Sequence, residues 1–165
     1  MQVRHASVQS PFGELLVAAT ERGVVRVAFP EENGDAVLGE LSDEFSADVS
    51  AGTLDHERQE LQEYFDGRLR DFDVPVDLGL APGFSRRVLE ATARIPYGSV
   101  STYGDVAANA GSRRAARAAG NALKGNPVPI IVPCHRVIRS GGDLGGYAGR
   151  EDRKAFLLSL EGARS

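Results

Sequence analysis

The sequence predicts an α/β chain of the α+β kind. A small sheet-plus-helix domain is expected over residues 1–80 and a mainly helical domain with a helix-turn-helix over residues 81–165. Three observations carry this. Valine-rich, strand-type runs fall within the first 30 residues, helix-period runs dominate after residue 80, and the charge changes sign between the halves. Residues 1–83 hold 6 Lys+Arg against 17 Asp+Glu, a balance of −11, whereas residues 84–165 hold 13 against 6, a balance of +7. A basic half joined to an acidic half points to a polyanion partner for the basic half. A solvated arginine-rich face is the other reading of the same charges.

The elements follow in order. A first strand is expected near Val3–Val8, then "GELLVAAT" (13–20) and "GVVRVAF" (23–29), joined by a turn at Glu21–Gly23. Residues 53–69, "TLDHERQELQEYFDGRL", place Leu54, Leu61, Phe65 and Leu69 at helical intervals between charges. "FDVPVDL" (72–78) reads as a linker or an edge strand, because its proline has no N–H for a ladder. Pro82 is placed to open a helix at its first position, with Phe84, Val88, Leu89 and Ala91 as the apolar face and "IPYG" (95–98) as its end. Ser101 or Thr102 is a candidate cap for a short helix, "TYGDVAANA" (102–110). Gly111 and Ser112 then break the chain before a second helix, "RRAARAAGNALKG" (113–125). Two short helices about a glycine-containing turn make the helix-turn-helix layout.

That second helix carries Ala115, Ala116, Ala118, Ala119, Gly120 and Ala122 beside Arg113, Arg114 and Arg117. Core packing accounts for some of these small residues. A backbone pressed into a nucleic-acid groove accounts for them together with the arginines. Next, "NPVPIIVP" (126–133) is an extended segment that delivers Cys134. "SGGDLGGYAG" (140–149) has five glycines in ten residues, which permits positive φ and backbone exposure at a ligand. A plain flexible loop is the alternative. A last helix is expected over Arg150–Leu160, with Phe156, Leu157 and Leu160 turned inward and Glu161 at its end.

Composition is that of a globular chain: 42% hydrophobic, 25% charged and no tryptophan. No apolar run approaches the roughly 18 residues of a membrane span, and "MQVRHASVQS" lacks the layout of a signal peptide. One cysteine makes no internal disulfide, which suits a reducing cytoplasm. That cysteine and three scattered histidines, His5, His56 and His135, match no zinc spacing, so neither metal nor cofactor is expected.

The one cysteine lies in "VPCHRVI" (132–138). An isolated buried cysteine is usually an inert small hydrophobe. Here an imidazole and a guanidinium follow directly, the surroundings that favour loss of the thiol proton. Adjacent side chains on an extended chain point apart, so a bridging water or a tight turn would be needed to link Cys134 to His135. A papain-like hydrolase would place its histidine far along the chain.

"IIVPCHRVI" (130–138), preceded by "RAAGNALKGNPVPI" (117–130), followed by "GGYAG" (145–149) and joined by "IPYGSVSTYGDVA" (95–107), resembles the O6-alkylguanine-DNA alkyltransferases. The resemblance is dense over about residues 84–161. Residues 1–80 resemble that family's smaller, ribonuclease H-like domain in length and element order. It implies single-turnover repair: the protein binds double-stranded DNA containing O6-alkylguanine, flips the base out, and moves the alkyl group to Cys134. O4-alkylthymine is a further expected substrate, and a monomer is expected.

By the same resemblance Cys134 is the nucleophile, His135 the base acting through a water, and Glu161 the carboxylate that orients it. Tyr103 donates to guanine N3, and Asn126 holds the recognition helix to the cysteine segment. Arg117 fills the stack, while Arg113, Arg114, Ala115, Ala116, Gly120 and Ser140 face DNA. Pro129, Val137, Tyr147, Ala148 and Gly149 form the base pocket. Two other functions fit parts of the pattern: a module that binds alkyl damage without chemistry, and a cysteine hydrolase that turns over repeatedly.

Overall fold

A computed structural model describes residues 2–163. The chain divides into two compact units, Met1–Leu78 and Gly79–Ser165. In the first, β1 (Gln2–Ser10), β2 (Gly13–Thr20) and β3 (Gly23–Ala28) form an antiparallel meander. β4 (Asp48–Ala51) joins parallel to β1, giving the order β3-β2-β1-β4. Val3, Ala18, Val25 and Ala28 of the sheet pack with Val37 and Leu41 of α1 (Gly34–Phe45). Leu15, Val17, Val24 and Val27 are buried as well, so both faces of β2 and β3 are covered. That is why these strands alternate only in part.

Residues 31–52, where the sequence predicts no element, hold α1 and β4. Asn33 caps α1, its side-chain oxygen accepting from the Ala36 N–H at 3.1 Å. α2 covers Asp55–Phe65 and stops short of the expected Leu69. Gly67 takes φ 77° there, its N–H donating to Tyr64 O while the Arg68 N–H donates to Glu63 O. This is the two-bond left-handed stop that glycine favours.

"FDVPVDL" lies along the edge at β3 and makes one isolated parallel bridge there, Val76 to Val24. Val24 N–H donates to Pro75 O and Asp77 N–H to Val24 O, both at 2.9 Å. Pro75 supplies only an acceptor, as its chemistry requires. The buried Glu60 carboxylate of α2 ties the same segment down, accepting from the Asp73 and Val74 N–H groups at 2.9 and 3.0 Å.

The second unit is mainly helical: α3 (Gly83–Ala93), α4 (Tyr103–Asn109), α5 (Ala116–Lys124) and α6 (Glu151–Leu160). Pro82 sits one position earlier than expected, as the residue before the first helical turn, with φ −81° and ψ 142°. Thr102 is the cap of α4, its hydroxyl accepting from the Asp105 N–H at 3.1 Å. The arginine-rich helix begins as a 3-10 turn over Arg113–Ala115 and becomes α-helical at Ala116.

A two-residue parallel ladder pairs β5 (Ser101–Thr102) with β6 (Val137–Ile138). It places the start of α4, hence Tyr103, beside the turn that carries Cys134. On α6, Leu157 is buried as expected, but Phe156 is 42% exposed and Arg153 and Lys154 point inward instead. Among the described residues no helix is long and apolar enough to cross a membrane.

Candidate active site

The segment expected to be extended reaches Cys134 through two tight turns. Ile131 N–H donates to Pro129 O at 2.9 Å around Ile130, whose φ is 76°. Cys134 N–H donates to Val132 O at 2.8 Å around Pro133, at φ −81° and ψ 66°. Both are γ-turns, and the positive-φ form is strained for a β-branched residue. The Asn126 side chain holds the loop from inside: its amide donates to Val132 O and its oxygen accepts from the Val128 N–H, each at 3.0 Å. Residues Cys134–Arg136 then form one 3-10 turn. The tight turn, and no extended strand, is how His135 comes to point into the unit.

His135 is wholly buried, and its Nε2 lies 2.7 Å from Oε2 of Glu161. Arg136 grips the same carboxylate in a fork, Nε to Oε1 at 2.8 Å and Nη2 to Oε2 at 2.9 Å. Its Nη1 donates to Ile95 O at 2.6 Å, and its guanidinium lies 5.7 Å from the Tyr97 ring centre. A carboxylate already accepting from a guanidinium only accepts, so Nε2 carries the ring hydrogen and Nδ1 keeps its lone pair. Among the described residues Nδ1 has no hydrogen-bond partner.

Burial holds the His135 pKa below its ordinary 6.5, and Arg136 and Lys154 add to this against the opposing pull of Glu161. The ring is neutral at pH 7. Burial pushes the Cys134 thiol up, against smaller downward pulls from the Asn126 hydrogen bond and the Lys154 charge. A protonated thiol on the same 3-10 turn as a neutral imidazole with an open nitrogen is a nucleophile that needs a base.

Tyr103 closes the other side. The Gly120 backbone of α5 lies against its ring, and a Cβ on Gly145 would come within 2.7 Å of its hydroxyl. Gly145 has φ 77°, so the glycine is needed for conformation and for space. Burial raises the Tyr103 pKa, with the nearby Cys134 adding to it, and the phenol remains a proton donor.

The chain matches the model of the 6-O-methylguanine DNA methyltransferase ribonuclease-like domain over residues 3–78, and that of the same enzyme's DNA binding domain over residues 83–163. A methylated-DNA–protein-cysteine methyltransferase of Methanosarcina acetivorans is 40% identical, over 96% of this chain and 98% of its own. The constitutive one of Bacillus subtilis is 39% identical, over 95% and 94%. This chain belongs to the methylated-DNA–protein-cysteine methyltransferase family. Among solved structures, Mycobacterium tuberculosis OGT in complex with DNA superposes with a TM-score of 0.81 at 35% identity, covering all of this chain and 96% of that one.

For a member of this family, the fold gathers Cys134, His135, Glu161, Asn126 and Tyr103 within the second unit. Pro129, Val137 and Tyr147 are buried in that unit, while Ala148 and Gly149 are exposed on the glycine-rich loop. Ala148 takes φ 50°. The Val137 carbonyl already accepts from Lys154 at 2.6 Å, leaving one lone pair for a ligand. Arg113, Arg114, Arg117 and Ser140 are exposed, and Ala115 and Ala116 are half-buried. Arg113 pairs with Asp105 at 3.2 Å.

Two expectations change. Gly120 faces Tyr103 rather than open solvent, so its lack of a side chain serves the site's interior. Arg136, one of the 13 basic residues of the second half, is buried on Glu161 and adds nothing to an exposed cationic surface. Arg136 belongs to the site although the sequence alone gives it no place on Glu161. A guanidinium next to a buried histidine was the signal, since such a charge is held inside only when paired.

Proposed function

We propose that this chain repairs alkylated DNA by taking the alkyl group of O6-alkylguanine onto Sγ of Cys134, once per molecule. The observation that carries this is the neutral His135 ring, fixed by Glu161 at 2.7 Å with Nδ1 left as an acceptor, on the same turn as the protonated Cys134 thiol. The thiol proton passes by way of a water to Nδ1, and the imidazolium that forms is stabilised by the carboxylate behind it. Sulfur attacks the alkyl carbon in line with the O6–C bond. Tyr103 donates to N3 as negative charge develops on the departing base. The thioether has no route to hydrolysis, so the acceptor is consumed.

Such an attack needs the base outside the stack, and extruding it costs a few kcal/mol. The exposed Arg117 suits a side chain that fills the gap, and Arg114 suits phosphate contact. Double-stranded DNA carrying O6-alkylguanine is therefore the substrate we assign, read by a monomer with little sequence preference. The lone thiol suits a reducing cytoplasm.

The test is the intact mass of the protein after exposure to an O6-methylguanine duplex. One methyl in place of one hydrogen on the Cys134 peptide is expected. Tight binding with no change of mass would make the chain a damage-binding module, and repeated turnover without modification would make it a hydrolase.

A further inference from the structure

Asp105 is an acid set among bases. From Tyr103 to Gly142 the sequence holds six basic residues, Arg113, Arg114, Arg117, Lys124, Arg136 and Arg139, and one acid, Asp105. All of these except Arg136 are exposed. The Asp105 carboxylate lies 3.2 Å from Nη1 of Arg113, so the pair bridges the turn between α4 and the arginine-rich helix. The arginine lies across the first turn of α4, where a Cβ on Gly104 would stand 3.9 Å from the same Nη1.

The cap of α4 does not account for this pairing. Thr102 supplies the cap by accepting from the Asp105 N–H, while the Asp105 carboxylate turns to Arg113. An acid in the first turn of a helix suits the positive end of its dipole, but that duty asks for no arginine opposite. The side chains are 53% and 70% exposed, and a pair so exposed contributes little to stability. What it changes is the charge offered to a polyanion. Arg113 opens the 3-10 turn that leads into α5, and the exposed Arg114 and Arg117 follow it. A phosphate arriving there meets Arg113 already neutralised, with a carboxylate at its side.

We propose that Asp105 stands in for a DNA phosphate: it holds Arg113 in the free protein and surrenders it to the duplex backbone in the complex. This deepens the alkyl-transfer reading above and rests on its DNA-binding half. A guanidinium forks onto phosphate oxygens as readily as onto a carboxylate, so the exchange keeps Arg113 satisfied on both sides. Binding must still break the Asp105–Arg113 pair and leave the carboxylate facing the polyanion. Both effects subtract from an attraction that is electrostatic and indifferent to sequence. Asp105 therefore lowers affinity for undamaged duplex, which suits an acceptor that reacts once and must search many sites before it does.

The test is affinity for an undamaged duplex, measured by fluorescence anisotropy over a range of salt concentrations. The proteins are wild type, Asp105→Asn, Asp105→Glu, Arg113→Ala, Arg114→Ala and the double variant Asp105→Asn/Arg113→Ala, each checked for folding by its melting curve. Asp105→Asn should tighten binding. The tightening should be about two- to fivefold greater with Arg113 present than in the Arg113→Ala background, the range that an exposed pair is worth. Asp105→Glu keeps the charge and should bind as wild type does, which separates the charge from any change in the first turn of α4. Arg113→Ala should flatten the slope of log affinity against log salt by about 0.9, one phosphate, as Arg114→Ala should. That measurement holds even if Asp105→Asn does not fold.

Equal tightening by Asp105→Asn with and without Arg113 would overturn the proposal, because Asp105 would then be a general repulsive charge. An unflattened slope in Arg113→Ala would overturn it too, because Arg113 would never reach a phosphate. Wild type that fails to bind duplex at any salt concentration would instead overturn the DNA-binding reading on which the proposal rests.

Discussion

The two units bury very different things. Among the described residues, the first hides one acidic or basic side chain, Glu60, beneath a core of valine, leucine and alanine. The second hides His135, Arg136, Arg153, Lys154 and Glu161. Glu60 answers two backbone N–H groups that would otherwise go unpaired, which is a structural duty. The Arg136–Glu161–His135 cluster answers no such need, since apolar residues of similar volume would often serve stability as well or better. Its presence is explained by what it does to one ring nitrogen. Buried charge in the first unit closes the fold, and in the second it sets up a reaction.

That contrast breaks at several places if it is wrong. The largest expected effect is from Cys134→Ser. Methyl transfer should be lost, while melting temperature and duplex affinity stay close to wild type, as measured by mass, calorimetry and titration. Residual transfer near the wild-type rate would remove the chemistry from the thiol.

Next come His135→Ala and Glu161→Gln, each expected to slow alkylation by about 10²- to 10⁴-fold, the range for a general base. Their combination should be little slower than the worse single variant, because one relay is broken either way. Strict additivity in log rate across the three would mean that the two residues work separately.

Arg136→Met sharpens the comparison, because it should affect both stability and pH dependence. Leaving the Glu161 carboxylate buried without its guanidinium should cost about 3–5 kcal/mol of stability. Arg136 also helps hold the His135 pKa down, so in its absence the acid limb of the rate profile should move to higher pH. A stability loss with an unmoved limb would make Arg136 a structural clasp only.

The smallest effect on activity is expected from Glu60→Gln, whose amide oxygen can still accept from both backbone N–H groups but loses the charge and the 3.2 Å contact at the second oxygen. Unfolding by denaturant should show a loss of about 1–3 kcal/mol, with an unchanged transfer rate per folded molecule. A large loss of rate at full folding would join the first unit to the chemistry.

The sequence made the candidate site around Cys134 legible because its chemistry is local: a lone cysteine, the histidine beside it and the glycines around them. The turn that points His135 inward was not legible. It depends on γ-turns at Ile130 and Pro133, and the first needs a positive φ that isoleucine does not advertise. Arg136 and Lys154 were hidden for a related reason. Charged residues are almost never fully buried, so each reads as surface until a partner is seen from another element. Glu161 lies 25 residues from Arg136, and the Val137 carbonyl lies 17 from Lys154.

In the first unit, β4 escaped because "DVSA" is short and polar. α1 was different. Its Asn33 cap and the spacing of Val37 and Leu41 were present in the sequence and went unread.

The central claim is that His135 stands neutral, with its hydrogen on Nε2 and an open Nδ1. Nitrogen NMR of the protein labelled with 15N in its histidine rings tests this without any substrate. Burial dominates the His135 shift, so protonation should occur below 6.5, the transition lost in Glu161→Gln or displaced in Arg136→Met. At pH 7 the His135 ring should give one protonated nitrogen, Nε2, and one bare nitrogen, Nδ1. An imidazolium at pH 7, or a hydrogen resident on Nδ1, would leave the thiol without a base and contradict the account.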